Sequence, residues 1–300
     1  MTVRSPYAAQ LDQIPVERLE VSVLGSNTRY WVYGPKDAAT TILVVHGYRG
    51  EHHGLEPVIA QLPNIRFISP DLPAFGQSTP LTEVDHDVAG YSKWLTAFAA
   101  MVDPGHTSIL LGHSFGTIVA ARAVADEGYS TPVLLLVNPI AASALQGSFA
   151  LGTTITVALY RLAGRLPERI GTSLLKNWGV VQIMSSTLVK SKDRELRRWI
   201  HEEHHRYFSR FATRETVIEG FEASIANDVS QYADRITVPT LLVAAELDAI
   251  APLAGNHALV ATMTDATLDV MPGVGHLVHY EVPGLAATAI SSFLSAHDLL

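Results

Sequence analysis

The chain has 300 residues, 48% of them hydrophobic and 17% charged, with a formal net charge of −8. That composition supports a substantial buried core and excludes a disordered chain; no basic tract is long enough to suggest a nucleic-acid partner. With no cysteine there are no disulfides, no thiolate metal site and no thiol nucleophile.

The N-terminus, Met1-Thr2-Val3-Arg4-Ser5-Pro6-Tyr7, lacks the apolar core of a signal peptide. The longest apolar stretch, Phe149 to Ala163, is interrupted by threonines and Arg161 and falls short of the ~20 residues of a membrane-spanning helix. A soluble, cytoplasmic protein without a membrane span is the expectation.

Val16 to Tyr33 alternates apolar and polar residues around Leu24-Gly25-Ser26-Asn27, which predicts a hairpin at the antiparallel edge of a sheet. Thr41 to Val45 is a β-branched run and reads as a buried strand. It leads into the glycine-bearing loop His46-Gly47-Tyr48-Arg49-Gly50. A helix over Leu55–Leu62, a strand over Arg66–Ser69 and the loop Asp71 to Ser78 follow. Val84 to Val102 has helical spacing, with Tyr91, Leu95, Phe98 and Val102 on one face. Ser108–Leu111 is an apolar strand, Thr117–Val124 is helical, and Pro132–Val137 is a further buried strand closing at Asn138-Pro139.

From Ile140 to Arg235 the patterns are helical, with no convincing buried strand. Strand–helix alternation resumes at Pro239–Ala244; Thr267–Met271 is a last strand and Pro283–Ala296 a closing amphipathic helix. The expected fold is α/β: a mostly parallel sheet flanked by helices, with an inserted helical cap. The expected division is core at 1–139, cap at 140–235 and core again at 236–300. The cap should lie over the C-terminal edge of the sheet, where open α/β folds bind ligands.

Between the strand at Ser108–Leu111 and the helix after it sits Gly112-His113-Ser114-Phe115-Gly116, the G-x-S-x-G pattern of a nucleophile elbow. A strand turning straight into a helix forces its turn residue into strained geometry and presents the side chain above the sheet. The helix start aims free N–H groups at any oxyanion formed beside Ser114. Serine needs a base, and the base an orienting acid. Glu246-Leu247-Asp248 and Gly273-Val274-Gly275-His276 follow two later strands, which gives the order Ser114, Asp248, His276. Glu246 competes with Asp248, as does a helix-capping role for Asp248. His279 competes with His276, whose pairing with Gly275 beside the strand end favours it.

These motifs resemble the α/β-hydrolase superfamily, in its helical-cap group of esterases, C–C hydrolases and epoxide hydrolases. The resemblance covers 16–138 and 236–298. It rests on His46-Gly47, Asp71-x-x-x-x-Gly76-x-Ser78, the elbow, and Asp248 with Gly275-His276. It implies an oxyanion hole from the backbone N–H groups of Tyr48 and Phe115. The family often has glycine where this chain has Ala74 and Thr117. Dehalogenase and epoxide hydrolase relatives use an aspartate nucleophile, so Ser114 argues against both reactions.

The expected activity is hydrolysis of a small-to-medium, partly apolar carboxylic ester through an acyl-enzyme, falling on acidification as His276 is protonated. C–C cleavage of a diketone, acyl transfer and ligand binding without catalysis are the alternatives. The mechanism calls for a small-molecule substrate and no metal or organic cofactor. The apolar composition is compatible with a homodimer through the cap. Asp71 and His46 are read as loop braces, and Arg49 as either a brace or a group for a substrate carboxylate. His201-Glu202-Glu203-His204-His205 satisfies the zinc-helix pattern H-E-x-x-H, but its arginine-rich flanks describe a wet helix face. Phe149, Leu151, Ile155, Val157, Leu159, Tyr160 and Leu162, with Trp178 and Trp199, either line an acyl pocket or pack the cap on the core.

Overall fold

The computed structural model describes residues 3–105, 107–142 and 150–300, with 150–153 described in backbone only. Strands β1 (Val16–Val23) and β2 (Ser26–Tyr33) form the expected hairpin. Its two-residue turn holds Leu24 at φ 47° and Gly25 at φ 78°. Two consecutive left-handed residues give the turn a twist that matches the strands.

β2 pairs antiparallel with β4 (Arg66–Pro70). The rest of the sheet is parallel: β3 (Thr41–Val45), β5 (Ile109–His113), β6 (Leu134–Val137), β7 (Thr240–Ala245) and β8 (Ala266–Met271). The eight strands run in the order β1-β2-β4-β3-β5-β6-β7-β8. The loops after β3, β5, β6, β7 and β8 therefore leave from one edge of the sheet.

The helices are α1 (Ala8–Leu11), α2 (Glu56–Ile59), α3 (Val88–Val102), α4 (Phe115–Asp126), α5 (Ala150–Arg165), α6 (Glu168–Leu175), α7 (Trp178–Leu188), α8 (Arg194–Tyr207), α9 (Arg214–Ala226), α10 (Leu253–Thr262), α11 (Val278–Glu281) and α12 (Pro283–Ala296). Because side chains alternate along a strand, β3 feeds two cores. Leu43 and Val45 pack with Trp94, Phe98 and Ile118 of α3 and α4, whereas Ile42 and Val44 pack with Val58, Ile290 and Leu294 of α2 and α12. Burying each such side chain contributes about 1.5–3 kcal/mol.

Two helices are shorter than their sequence pattern. The segment expected as one helix over 55–62 is a 3-10 turn (His52–Leu55) followed by α2, which ends at Ile59; Pro63 disfavours helical backbone at Leu62. α3 begins at Val88 rather than Val84 because Asp87 caps it, its side chain accepting from Gly90 N at 2.7 Å. α12 has the expected bounds.

Between β6 and β7 the described residues form α5 to α9 with no strand. Two contacts fix this helical segment to the loop after β4: Gly76 N donates to Arg210 O (2.9 Å) and Ala212 N to Ala74 O (2.8 Å). Tyr160 and Trp199 are buried, Trp199 against Tyr7 and Tyr280. Val157 packs partly against the core, Leu159 is half-buried, and Ile155, Leu162 and Trp178 are exposed. Phe149 lies outside the described residues, as does the side chain of Leu151.

Candidate active site

The turn from β5 into α4 places Ser114 at φ 52°, ψ −121°, a conformation that costs an L-residue of order 1–3 kcal/mol. The sheet holds it there: Ser114 N donates to Val137 O at 3.0 Å. The flanking glycines are required by space. A Cβ on Gly112 would lie 2.5 Å from Gly116 O, and one on Gly116 would overlap the Val45 carbonyl. Thr117 has its own role. Its Oγ1 donates to Ser114 O (2.6 Å) and accepts from Ile140 N (3.2 Å), which ties the elbow to the chain after β6.

Ser114 Oγ lies 2.7 Å from His276 Nε2, and His276 Nδ1 lies 2.8 Å from Asp248 Oδ2. This geometry suits a ring that carries its proton on Nδ1, towards the carboxylate, and accepts the serine proton at Nε2. Asp248 Oδ1 accepts from Ile250 N (2.8 Å) and Ala251 N (2.9 Å), and its Oδ2 accepts from Asn138 Nδ2 at 3.1 Å. Burial alone would raise the Asp248 carboxyl. The attraction and hydrogen bond of His276 and the two amides outweigh it and hold its pKa below the usual carboxylate range.

The competing residues have other partners. Glu246 Oε2 accepts from Gly273 N at 2.7 Å and so clasps the loops after β7 and β8. His279 is buried against the His113 ring, 4.1 Å between centroids. Asn138, at φ 49° on the end of β6, is a neighbour of the carboxylate that the sequence shows only as an amide at a strand end.

Phe115 N opens α4, and Tyr48 N lies in the loop after β3. Among the described residues neither N–H has a hydrogen-bond acceptor. His46 braces that loop as a neutral ring: Nδ1 donates to Gly47 O (2.8 Å) and Nε2 accepts from Leu72 N (2.8 Å). Burial lowers its pKa, which suits that form. Asp71 ties the next loop, accepting from His52 N and Nδ1 at Oδ1 and from Gln77 N at Oδ2. Gly76 is at φ 55° with the Asp71 carboxylate where a Cβ would be, whereas Ala74, at φ 70°, takes a left-handed position without being glycine.

Arg49 is a brace rather than a free cation. It is 2% exposed. Its Nε donates to Phe208 O (2.7 Å), Nη2 to Leu175 O (2.9 Å) and Nη1 to Tyr160 Oη (3.2 Å). Tyr160 Oη is 3.0 Å from Tyr48 Oη, which donates to Val217 O at 2.6 Å. The loop bearing Tyr48 is thus held by α5, α6, α8 and α9 at once.

Among the described residues, Glu51, His52 and His53 can each bring a ligand atom within 4.8 Å of the others. Both rings already have carboxylate partners at Nδ1, Asp71 for His52 (2.7 Å) and Glu51 for His53 (2.5 Å). The H-E-x-x-H residues are likewise engaged. His201 and His204 both reach Ser185 Oγ at 2.6 Å, and His205 stacks on Trp178 and reaches Gln182 Oε1 at 2.8 Å. α8 is not wet all round, since Trp199, Ile200, Glu203 and His204 are buried.

A model of the alpha/beta hydrolase family matches residues 42–289. The chain belongs to the alpha/beta hydrolase family. The family places it among hydrolases, and its fold is shared with solved structures of differing chemistry. A thermophilic esterase from Thermogutta terrifontis is 19% identical with a TM-score of 0.71, over 94% of this chain and 99% of that one. An enol-lactonase from Burkholderia xenovorans LB400 is 16% identical with a TM-score of 0.75, over 92% and 100%. A haloalkane dehalogenase variant from Bradyrhizobium elkanii is 19% identical with a TM-score of 0.73, over 95% and 98%. Likeness at these identities speaks for the fold, and the site must speak for the reaction. Among the described residues, no helix of the hydrolase is long and apolar enough to cross a membrane.

Proposed function

We propose that this hydrolase cleaves a small-to-medium, partly apolar carboxylic ester through an acyl-enzyme on Ser114. The observation that carries the reading is the alignment of Ser114 Oγ, the His276 ring and Asp248 at 2.7 and 2.8 Å on a strained elbow. Ser114 Oγ attacks the ester carbonyl while His276 Nε2 takes its proton. Asp248 holds the tautomer and stabilises the imidazolium. The N–H groups of Phe115 and Tyr48 stabilise the oxyanion, each worth roughly 3 kcal/mol in comparable sites.

His276 then protonates the departing alkoxide. Next it takes a proton from water, which attacks the acyl carbonyl; the acyl–Oγ bond breaks, the acid leaves, and His276 returns the proton to Ser114 Oγ. Side chains and water supply every step. In this reading 1–139 and 236–300 form the catalytic core, and 140–235 is a cap that selects the acyl group. The esterase and lactonase on the same fold favour ester chemistry, and a serine rather than an aspartate at the elbow disfavours dehalogenation.

A panel of p-nitrophenyl esters of increasing acyl length, run beside Ser114→Ala, tests the proposal. Turnover abolished in the variant supports it. Labelling of Ser114 by a fluorophosphonate without turnover of any ester moves the reading to C–C cleavage or acyl transfer. The absence of both turnover and labelling refutes it.

A further inference from the structure

Helices α5 to α7 of the cap carry exposed apolar side chains together with arginines that have no carboxylate partner. Ile155 and Leu162 of α5, Ile170 of α6 and Trp178 and Ile183 of α7 are all between 51 and 70% exposed. On α5 the exposed side chains of Thr154, Ile155, Ala158, Arg161, Leu162 and Arg165 fall within about 120° of circumference at the helical repeat. The stripe is therefore apolar along one edge and basic along the other.

From 150 to 178 the chain carries Arg161, Arg165, Arg169 and Lys176 against one acid, Glu168, in a protein of net charge −8. Among the described residues none of the three arginines has a carboxylate within 4.0 Å. Other exposed cations, Arg4, Arg29, Lys36 and Arg235, do have one, whereas Arg18, Lys93 and Arg198 are likewise without one.

We propose that this face docks the enzyme on an anionic lipid surface, with Trp178 and the aliphatic side chains at the acyl boundary and the arginines against headgroup phosphates. Resting helices in the plane of the interface need this combination of apolar and basic groups, and tryptophan suits that boundary because its ring is apolar with one polar N–H. Charge decides against the other occupants. An isologous contact between two copies would set one cationic face on the other. Five exposed apolar side chains would gain nothing from a nucleic-acid backbone.

The placement also serves the site. The opposite face of α5 carries Tyr160, which contacts Tyr48, so one helix separates the lipid from the loop of the proposed oxyanion hole. An apolar ester dissolved in the bilayer would then reach the site without crossing water. The inference rests on the ester reading for its purpose and on the surface alone for its test.

The experiment is co-sedimentation with phosphatidylcholine vesicles, with and without phosphatidylglycerol, at low and raised salt. Binding should need the anionic lipid and weaken with salt. A basic residue near such a surface contributes about fivefold to partitioning, so Arg161→Gln, Arg165→Gln and Arg169→Gln together should weaken it about 100-fold. The triple variant should hydrolyse a water-soluble short ester at the normal rate.

Trp31, Trp94 and Trp199 are buried, so a blue shift of tryptophan emission on binding reports Trp178, and Trp178→Ser should abolish it. No binding to anionic vesicles, or equal binding by the triple variant, overturns the inference. So does a lipid-free, concentration-dependent blue shift, which would mean a second copy covers the face. Ser114→Ala should still bind vesicles. Vesicle binding without Ser114-dependent turnover would leave the docking intact and sink the ester reading, and the reverse result would do the opposite.

Discussion

Replacing Arg49 by Met asks how a buried guanidinium survives without a carboxylate partner. Its three donors meet Phe208 O, Leu175 O and Tyr160 Oη. Leu175 is the last residue of α6 and Phe208 caps α8, so the cation faces two helix C-termini. Each end attracts a partly buried cation by up to about 2 kcal/mol. Charged-donor hydrogen bonds contribute about 1.5–3 kcal/mol apiece, against a desolvation cost of several kcal/mol. Methionine roughly keeps the volume and the same cost for φ 59°, so the substitution isolates the charge.

It leaves the buried Leu175 carbonyl and the part-buried Phe208 carbonyl unpaired, at about 1–3 kcal/mol for each fully buried group. We expect a net loss of about 3 kcal/mol, read as a fall in Tm of roughly 5 °C. Loss of one oxyanion donor costs about 10²–10³ in kcat. A loosened neighbour of Tyr48 should therefore cost about 10- to 100-fold in kcat, with the pH profile unmoved. Arg49→Lys should rescue only part of both effects, because an ammonium cannot span two carbonyls set for a planar fork. If Arg49→Met unfolds at the same temperature and turns over at the same rate, desolvation cancels the bonds and the brace is inert.

Two further outcomes follow from the same coordinates. Burial, with neighbouring histidines adding to it, pushes the His113 and His204 rings down to about 3. The unfolded chain takes up those protons near pH 6.5, so stability is full above that pH and falls as pH drops towards 3. At pH 5 the loss is about 2 kcal/mol per ring. Urea midpoints at pH 7 and pH 5 should differ accordingly, and His204→Gln should remove about 2 kcal/mol of the difference; equal midpoints would contradict the burial argument. Asp248→Asn should lower kcat by about 10⁴, the scale for a lost orienting carboxylate. Adding Asn138→Asp should recover at least about tenfold of it, because Asn138 Nδ2 already lies 3.1 Å from the Asp248 oxygen that meets His276. A double variant no better than the single would show that Asn138 only fills space.

Local signals made the sheet and the elbow readable. Apolar runs, β-branched at Thr41–Val45 and leucine-rich at β5 to β7, gave the parallel strands, alternation gave the hairpin, and Gly112 and Gly116 flank a serine that only a sharp turn would frame this way. Helix starts were less legible, because periodicity extends through Val84 while the Asp87 cap decides where hydrogen bonding begins. The choice of Asp248 over Glu246 needed three dimensions: two residues apart in sequence, one meets His276 and the other meets Gly273. Arg49 was ambiguous for the same reason. Its partners lie 111 to 159 residues further along the chain, and two of them are backbone carbonyls, which leave no trace in residue identity.

In the proposed mechanism those carbonyls also tie specificity to catalysis. The turns after β5, β7 and β8 place Ser114, Asp248 and His276, and Glu281 also joins Gly275 N beside His276 to Lys190 N and Ser191 N of the helical segment. Tyr48 is different. Its ring and hydroxyl are held by Tyr160, Val217 and Phe221, and its neighbour Arg49 by the ends of α6 and α8. In the proposed mechanism one oxyanion donor is thus set by the cap and the other, Phe115 N, by the core. In that mechanism a substrate or lipid surface that shifts α5 or α6 would act on Tyr48 directly, while Ser114 N stays bonded to Val137 O and Asp248 to the Ile250 and Ala251 amides. Substitutions on the inner side of the cap should therefore change kcat together with acyl preference, whereas substitutions at the elbow should change kcat alone.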